Sequence, residues 1–330
     1  MEIIKPGTRI NFIKFRTIGL GVSVLVIAVS VFSLFKPGPS MGIDFAGGEE
    51  MELQFNQAVS IAKLRSALED LPVGDVKVQR VGDEDSNTYL LRMEELKVSI
   101  EEAEKSKEED DEVAKAEGAS GKTAAAVKQK MSSLFGKDSF TVLKTDYVGP
   151  RVGEELRNKG VMAIVAAMAM ILIYITLRFE FRYALGAVIA LVHDVLITTG
   201  AFVITGREFN LAIIAALLTI VGYSLNDTIV TFDRIRENVR RLRRVEYREM
   251  VNTSINEVLS RTLLTSMTTF ITVMFLFVIG SGIIKDFAFA LLVGVVVGTY
   301  SSIFVASSFI IWWEELRATR RTVAAAEKQR

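Results

Sequence analysis

Residues 211–238 read LAIIAALLTIVGYSLNDTIVTFDRIREN. Up to Val221 the run is apolar except for Thr219, from Asp233 onward charges alternate, and between them Asn226 and Asp227 stand side by side. A helix needs about 20 residues to cross a hydrocarbon core of about 30 Å, and this run supplies them. An aspartate near the centre of such a helix costs about 2.5–3.5 kcal/mol by insertion scales. A carboxylate kept there must face the inside of a bundle or a water path.

The composition supports a membrane protein with a wet part. Of 330 residues, 50% are hydrophobic and 24% charged, with a formal net charge of zero and a mean hydropathy of +0.34. Such a mixture points to apolar and charged segments separated along the chain. Six stretches are long and apolar enough to span a bilayer: 17–35, 161–177, 183–205, 211–232, 262–284 and 287–311. All five prolines (Pro6, Pro37, Pro39, Pro72, Pro150) fall outside them, as suits helices that must satisfy every backbone group internally. The first stretch reads as an anchor, because its apolar run exceeds a signal core and LFKPGPSMG offers no A-x-A cleavage site. The chain has no cysteine, hence no disulfide or thiolate metal site, and its one histidine, His193, leaves no histidine cluster for a metal.

Arginine and lysine set the orientation. The segment 233–261, read as a basic loop, carries eight arginines against five acids; Arg178 and Arg182 lie between spans two and three, and the tail 312–330 is again basic. The opposite short turns hold only Arg207 and Lys285. By the positive-inside rule the N-terminal segment 1–16 and the C-terminal tail are both cytoplasmic, with Trp312 and Trp313 at the interface. Segment 36–160 then lies outside the cytoplasm. GIDFAGGEEMELQF (42–55), DVKVQRV (75–81), TYLLRM (88–93) and FTVLKTDYV (140–148) read as strands. Ser60 caps an amphipathic helix, IAKLRSALEDL, so the segment reads as a small α+β domain. Within it, 94–122 is an acidic insertion, read as a solvated helix with a flexible end at GASGK. GASGKT fails as a phosphate-binding loop because residue 116, where the first glycine belongs, is Ala116. The energy for any work must then come from a partner or an ion gradient.

The polar residues inside the spans carry the functional question. At helical spacing Tyr223, Ser224, Asp227 and Thr231 form one stripe. Thr265, Thr268 and Thr272 continue from Arg261, so that two stripes could face each other as a seam. Span three adds His193 and Asp194 near mid-bilayer with Thr198 a turn beyond, and span six adds Thr299 and Ser302. Gly294 and Gly298 form a small-xxx-small pair for close helix approach, and Gly222 is a further packing candidate. For Asp194 and Asp227 a functional reading outweighs a structural one, because intramembrane carboxylates are rare. Threonines and serines in such helices more often bond to backbone carbonyls, His193 could be a buried imidazole, and Arg261 could be an interfacial anchor.

GIDFAGG (42–48), ALVHDVLITTG (190–200), TIVGYSLNDTIVTFDRIREN (219–238) and LSRTLLTSMTT (259–269) resemble the motifs of the SecF family, the smaller member of the bacterial SecD–SecF pair and a relative of RND transporters. The resemblance covers nearly the whole chain; the acidic insertion is the part without a match. It implies an RND-like half with six transmembrane helices and one small α+β periplasmic domain, in a bacterial inner membrane. It also implies a non-enzymatic role with SecD, SecYEG and YajC, acting on unfolded preproteins amid membrane lipid, without nucleic acid or cofactor, and driven by transported H⁺ or Na⁺. The family's ion-path aspartate and arginine fall on Asp227 and Arg261, its HD pair falls on His193 and Asp194, which are read as further members of the ion relay, and its periplasmic glycine motif falls on Gly42, Asp44, Phe45, Gly47 and Gly48. Two other readings, half of another RND exporter and an intramembrane aspartyl protease, are weaker. The chain has only six spans, and no G-x-G precedes either aspartate.

Overall fold

The charges that end the apolar run at Phe232 do not end the helix. In the computed structural model, which describes residues 9–68, 76–81, 87–93 and 112–327, helix continues from Leu211 to Arg241. In chain order the elements are α1 (Arg16–Phe35), α2 (Ile43–Ala46), β1 (Gly48–Phe55), α3 (Ile61–Leu68), β2 (Val76–Val81), β3 (Thr88–Met93) and α4 (Glu112–Phe135). There follow β4 (Phe140–Val148), α5 (Pro150–Arg178), α6 (Phe181–Ile204), α7 (Leu211–Arg241), α8 (Tyr247–Ile279), α9 (Gly282–Ser301) and α10 (Ser307–Glu327). A π-helical turn, Ser302–Ala306, joins the last two. Among the described residues six helical runs are long and apolar enough to cross a membrane, α9 and α10 counting as one. The protein is an α-helical integral membrane protein with a small α+β domain.

The chain folds as two units. One comprises Met1–Ser40, Met162–Glu208 and Ala212–Arg330; the other comprises Met41–Val161 with Phe209–Leu211. In the first, helices approach closely where side chains are small, as membrane helices without a hydrophobic driving force between them require. A Cβ on Gly200 of α6 would lie 2.3 Å from the Ser30 Cβ of α1, and one on Gly294 of α9 would lie 2.4 Å from Ile220 of α7.

Helix boundaries differ from those read off the apolar runs, because hydropathy marks the hydrocarbon region and not the last helical residue. The segment 233–261 is not a loop: α7 runs to Arg241, a short turn follows, and α8 starts at Tyr247. Ion pairs replace apolar packing there. Glu257 accepts from Arg234 Nε at 2.7 Å, from Arg241 at 2.6 Å and from the Asn238 amide at 2.6 Å. The turn between spans five and six lies at Gly280–Ser281 and not at 285–286, since Gly280 caps α8 and Gly282 takes φ +53°. Lys285 and Asp286 therefore sit in the first turns of α9, where Asp286 pairs with Arg207, whose guanidinium stacks 4.3 Å from the Phe289 ring centroid.

The second unit holds an antiparallel sheet in the order β2-β3-β1-β4. Alternation along β1 buries Met51, Leu53 and Phe55 on one face, against Leu64 and Leu68 of α3 and Val127 and Met131 of α4. Ser60 Oγ accepts the Lys63 N–H at 3.3 Å and so caps α3. On the other face Arg92 Nε pairs with Glu50 at 2.7 Å. Two expectations change. GIDFAGGEEMELQF is not one strand: Ile43–Ala46 forms a helical turn, stopped by Gly47 at φ +76°, and β1 begins at Gly48. GASGK lies inside α4 and is not a flexible end; small residues inside a continuous helix mimic a linker in composition. Residues 94–111 of the acidic insertion, the turn residues 82–86 and residues 69–75 lie outside the described residues.

Glu49 breaks the pattern of the sheet. It lies on β1, 1% exposed, and among the described residues neither carboxylate oxygen has a hydrogen-bond partner. Burial pushes its pKa up to about 7. The folded state then holds a proton that the unfolded chain releases above about 4.5, so stability falls as pH rises from there to about 7 and levels off above. Full-length Glu49→Gln should lose this decline, worth at most about 3 kcal/mol. Amide exchange of β1 and β4 at pH 5 and pH 8, corrected for intrinsic rates, checks it; the same decline in the variant would contradict it.

Candidate functional site

The two intramembrane aspartates occupy different environments. Asp194 of α6 is fully buried and fully partnered. One of its carboxylate oxygens lies 2.8 Å from His193 Nδ1; the other accepts from Ser224 Oγ of α7 at 2.5 Å and from Ser301 Oγ of α9 at 2.8 Å. His193, 3% exposed, continues the chain through Nε2 to Ser23 Oγ of α1 at 3.1 Å. Tyr300, stacked on His193 with centroids 6.2 Å apart, donates to the Gly19 carbonyl at 2.5 Å. Four helices, α1, α6, α7 and α9, meet in this network. The π-helical turn follows at once, with Ser307 Oγ donating to the Ser302 carbonyl at 3.0 Å. Such turns recur at functional sites within helices.

Asp227 lies one helical turn from Ser224 on α7, 3% exposed. Among the described residues its one hydrogen bond is long: Ser266 Oγ of α8 donates at 3.3 Å. Thr299 Oγ1 of α9 in turn donates to Ser266 Oγ at 2.7 Å. On α7 and α8, Thr228, Thr231 and Thr262 are buried, and among the described residues the Thr228 and Thr262 hydroxyls have no partner. A hydrogen bond to a charged group contributes about 1.5–3 kcal/mol, and leaving one unmade in an apolar interior costs a similar amount. Asp194 is therefore a satisfied group, whereas Asp227 is held in the bundle with little to stabilise its charge.

The anticipated seam of two facing stripes is not what forms. Arg261, Thr265, Thr268 and Thr272 all lie on the exposed side of α8, and the three threonines donate to backbone carbonyls one turn back. The side of α8 facing Asp227 presents Thr262 and Ser266 instead, one residue around the helix. Helical spacing from Arg261 gave the right helix and the wrong face. Arg261 acts on Asp227 through space, and among the described residues no ion pair joins the two. Of the other stripe, Ser224 bonds to Asp194 and not toward Asp227, Thr231 is buried, and Tyr223 is half-buried with its hydroxyl unpartnered. Asn226 and Gly222 are exposed on the far side of α7. A Cβ at Gly222 would meet nothing within 4 Å, so Gly222 packs against no helix among the described residues, whereas one at Gly298 would lie 3.0 Å from Ser224.

Ser23, Ser266, Tyr300, Ser301 and Gly200 carry no mark in the sequence that singles them out. Only in α1 does the sequence hint at a buried face, since Ser23, Ser30 and Ser33 interrupt its apolar run and all three are buried. Among the described residues no group of histidines, cysteines or carboxylates could hold a metal ion.

Residues 127–316 match the model of the protein export membrane protein SecD/SecF C-terminal family, and residues 32–59 match the SecD/SecF GG motif. The chain is 43% identical over 325 residues to the protein translocase subunit SecF of Magnetococcus marinus, covering 98% of each chain. It is 38% identical over 320 residues to that of Calditerrivibrio nitroreducens, covering 96% of this chain and 98% of the relative. Among solved structures it resembles SecDF, a translocon-associated membrane protein from Thermus thermophilus, with a TM-score of 0.78 and 34% identity. That match covers 94% of this chain but 39% of the SecDF chain. SecDF in its super-membrane-facing form gives a TM-score of 0.68.

The two carboxylates should respond differently to neutralisation. Asp194→Ala should lower the thermal stability of the purified chain by about 3–5 kcal/mol, as removal of one member of a buried network does. Asp227→Asn should change it by less than about 1 kcal/mol. Equal losses in detergent melts would contradict the distinction.

Proposed function

The chain belongs to the SecD/SecF family of protein-export membrane proteins, on its SecF side, and from that premise we propose that it couples an ion gradient to protein export through Asp227. Its coarse role is that of a Sec translocase subunit with SecD as partner. The finer reading is that the pair sits with SecYEG and YajC in the bacterial inner membrane and helps draw unfolded preproteins outward after ATP-driven passage has begun. One observation carries the ion coupling: Asp227 is buried with a single long hydrogen bond, while Asp194, bonded to Ser224 on the same helix, is closed on every side.

The orientation reading places both termini and the charged helix ends in the cytoplasm. Ion pairs gather at that end of the bundle: Arg16 and Arg248 on Glu315, Arg182 on Glu314, and Arg234 with Arg241 on Glu257. The exposed stripes, Ala215, Thr219, Gly222 and Asn226 on α7 and Arg261, Thr265, Thr268 and Thr272 on α8, fit the partner subunit better than lipid. Small and polar residues favour helix contact.

In this mechanism ionised Asp227 attracts Ser266, water and the Arg261 charge; protonated Asp227 releases them, and α7 and α8 repack. A unit charge moved through 100 mV supplies about 2.3 kcal/mol, which biases two states by more than about tenfold. H⁺ suits a carboxylate of this kind, and Na⁺ is the other candidate. His193 and Asp194 hold the helices around the relay and do not carry its ion.

Asp227→Asn should abolish gradient-driven export in inverted membrane vesicles while the complex with the partner still assembles. Export at the wild-type rate by that variant would contradict the proposal.

A further inference from the structure

The glycine-rich stretch GIDFAGG has structural contacts that its sequence alone does not explain. Its residues reach two helix starts at once, all within the unit Met41–Val161 with Phe209–Leu211. The Gly42 N–H donates to the Phe209 carbonyl at 2.7 Å, and a Cβ on Gly42 would lie 2.9 Å from that oxygen. Two residues on, the Asp44 carboxylate accepts the N–H of Leu211, the first residue of α7, at 2.9 Å. At the other end Gly47, at φ +76°, approaches the first turn of α5 so closely that a Cβ there would lie 2.7 Å from Pro150 Cα. The approach is reciprocal, since a Cβ on Gly153 of α5 would lie 3.0 Å from the Gly47 nitrogen and 3.2 Å from the Phe45 carbonyl carbon. Phe45 itself is buried, and Gly48 pairs with Val148 at the end of β4.

These contacts have a common physical sense. The first four N–H groups of a helix lack partners within it, and a carboxylate there both accepts one and opposes the positive end of the helix dipole. Asp44 performs this for α7 from a separate segment, 167 residues away in the chain. The glycines let backbone meet backbone where no side chain would fit.

We propose that the GIDFAGG loop is a clamp on the first turns of α5 and α7, and that Asp44 is a positioning residue for α7 and hence for Asp227. Leu211 and Asp227 belong to one unbroken helix, 16 residues apart, or about 24 Å along its axis. Loosening the cap frees the first turn of the helix that carries the carboxylate. The functional half of this proposal rests on the reading of Asp227 given above; the clamp itself does not.

The test uses the full-length chain assembled with its SecD-type partner. Amide exchange at Leu211–Ile213 should rise about tenfold in Asp44→Ala and stay within about threefold of wild type in Asp44→Asn, which keeps an acceptor. Exchange at the starts of α6 and α8 should not change. Gradient-driven export should fall several-fold in Asp44→Ala and recover in Asp44→Asn. Unchanged exchange in Asp44→Ala overturns the clamp, and faster exchange with undiminished export overturns the positioning role. Asp227→Asn is run beside them: normal export there removes the ion-coupling reading, while the exchange measurement still decides the clamp.

Discussion

A bilayer gives an unpartnered carboxylate nowhere cheap to go, and most of this structure is arranged around that constraint. Two aspartates sit in the helical bundle, and the protein treats them in opposite ways. Around Asp194 it gathers two hydroxyls and an imidazole that is itself held by Ser23, so that four helices contribute and both carboxylate oxygens have partners. To Asp227, among the described residues, it gives one serine hydroxyl at 3.3 Å. A fully hydrogen-bonded buried network rigidifies and specifies one arrangement. A poorly satisfied charge has the opposite property, since small changes in protonation or hydration alter which neighbours it prefers. The first group is suited to hold α1, α6, α7 and α9 together; the second is suited to change state.

Both groups depend on close helix approach. Gly200 admits Ser30, Gly294 admits Ile220, and Gly298 brings the α9 backbone onto Ser224, which is itself a donor to Asp194. The small residues are therefore upstream of the polar contacts. A larger side chain at Gly298 would move Ser224 and Ser301 apart and leave Asp194 short of partners. The chain is otherwise held at one end by arginine–glutamate pairs, among them Glu257 shared by Arg234 and Arg241, where water screens the charges and the pairs contribute modestly.

Much of this was legible in the sequence. The apolar runs pointed to six spans, and six long apolar helices form among the described residues, because burial in lipid imposes length and composition directly. Asp227 announced itself as a charge in the middle of one of them. Helix ends were less legible: the helices that end at Arg241 and begin at Tyr247 extend beyond the apolar runs that hydropathy registers. The site was half visible. Periodicity from Arg261 picked out Thr265 and Thr268, yet the face turned to Asp227 carries Thr262 and Ser266, a rotation of one residue that spacing within a single helix cannot fix. Ser301 and Ser23 were unremarkable as letters and became partners of Asp194 and His193 only through the packing of other helices. The role of Asp44 was hidden for the same reason, since its partner Leu211 lies far along the chain.

The central claim is that Asp227, and not Asp194, is the carboxylate whose protonation changes during work. Infrared difference spectroscopy on the reconstituted complex, taken across a step in external pH, tests it directly. A carboxylic-acid C=O band that appears on acidification should vanish in Asp227→Asn and persist in Asp194→Asn. A band that survives the first substitution and is lost with the second would contradict the account.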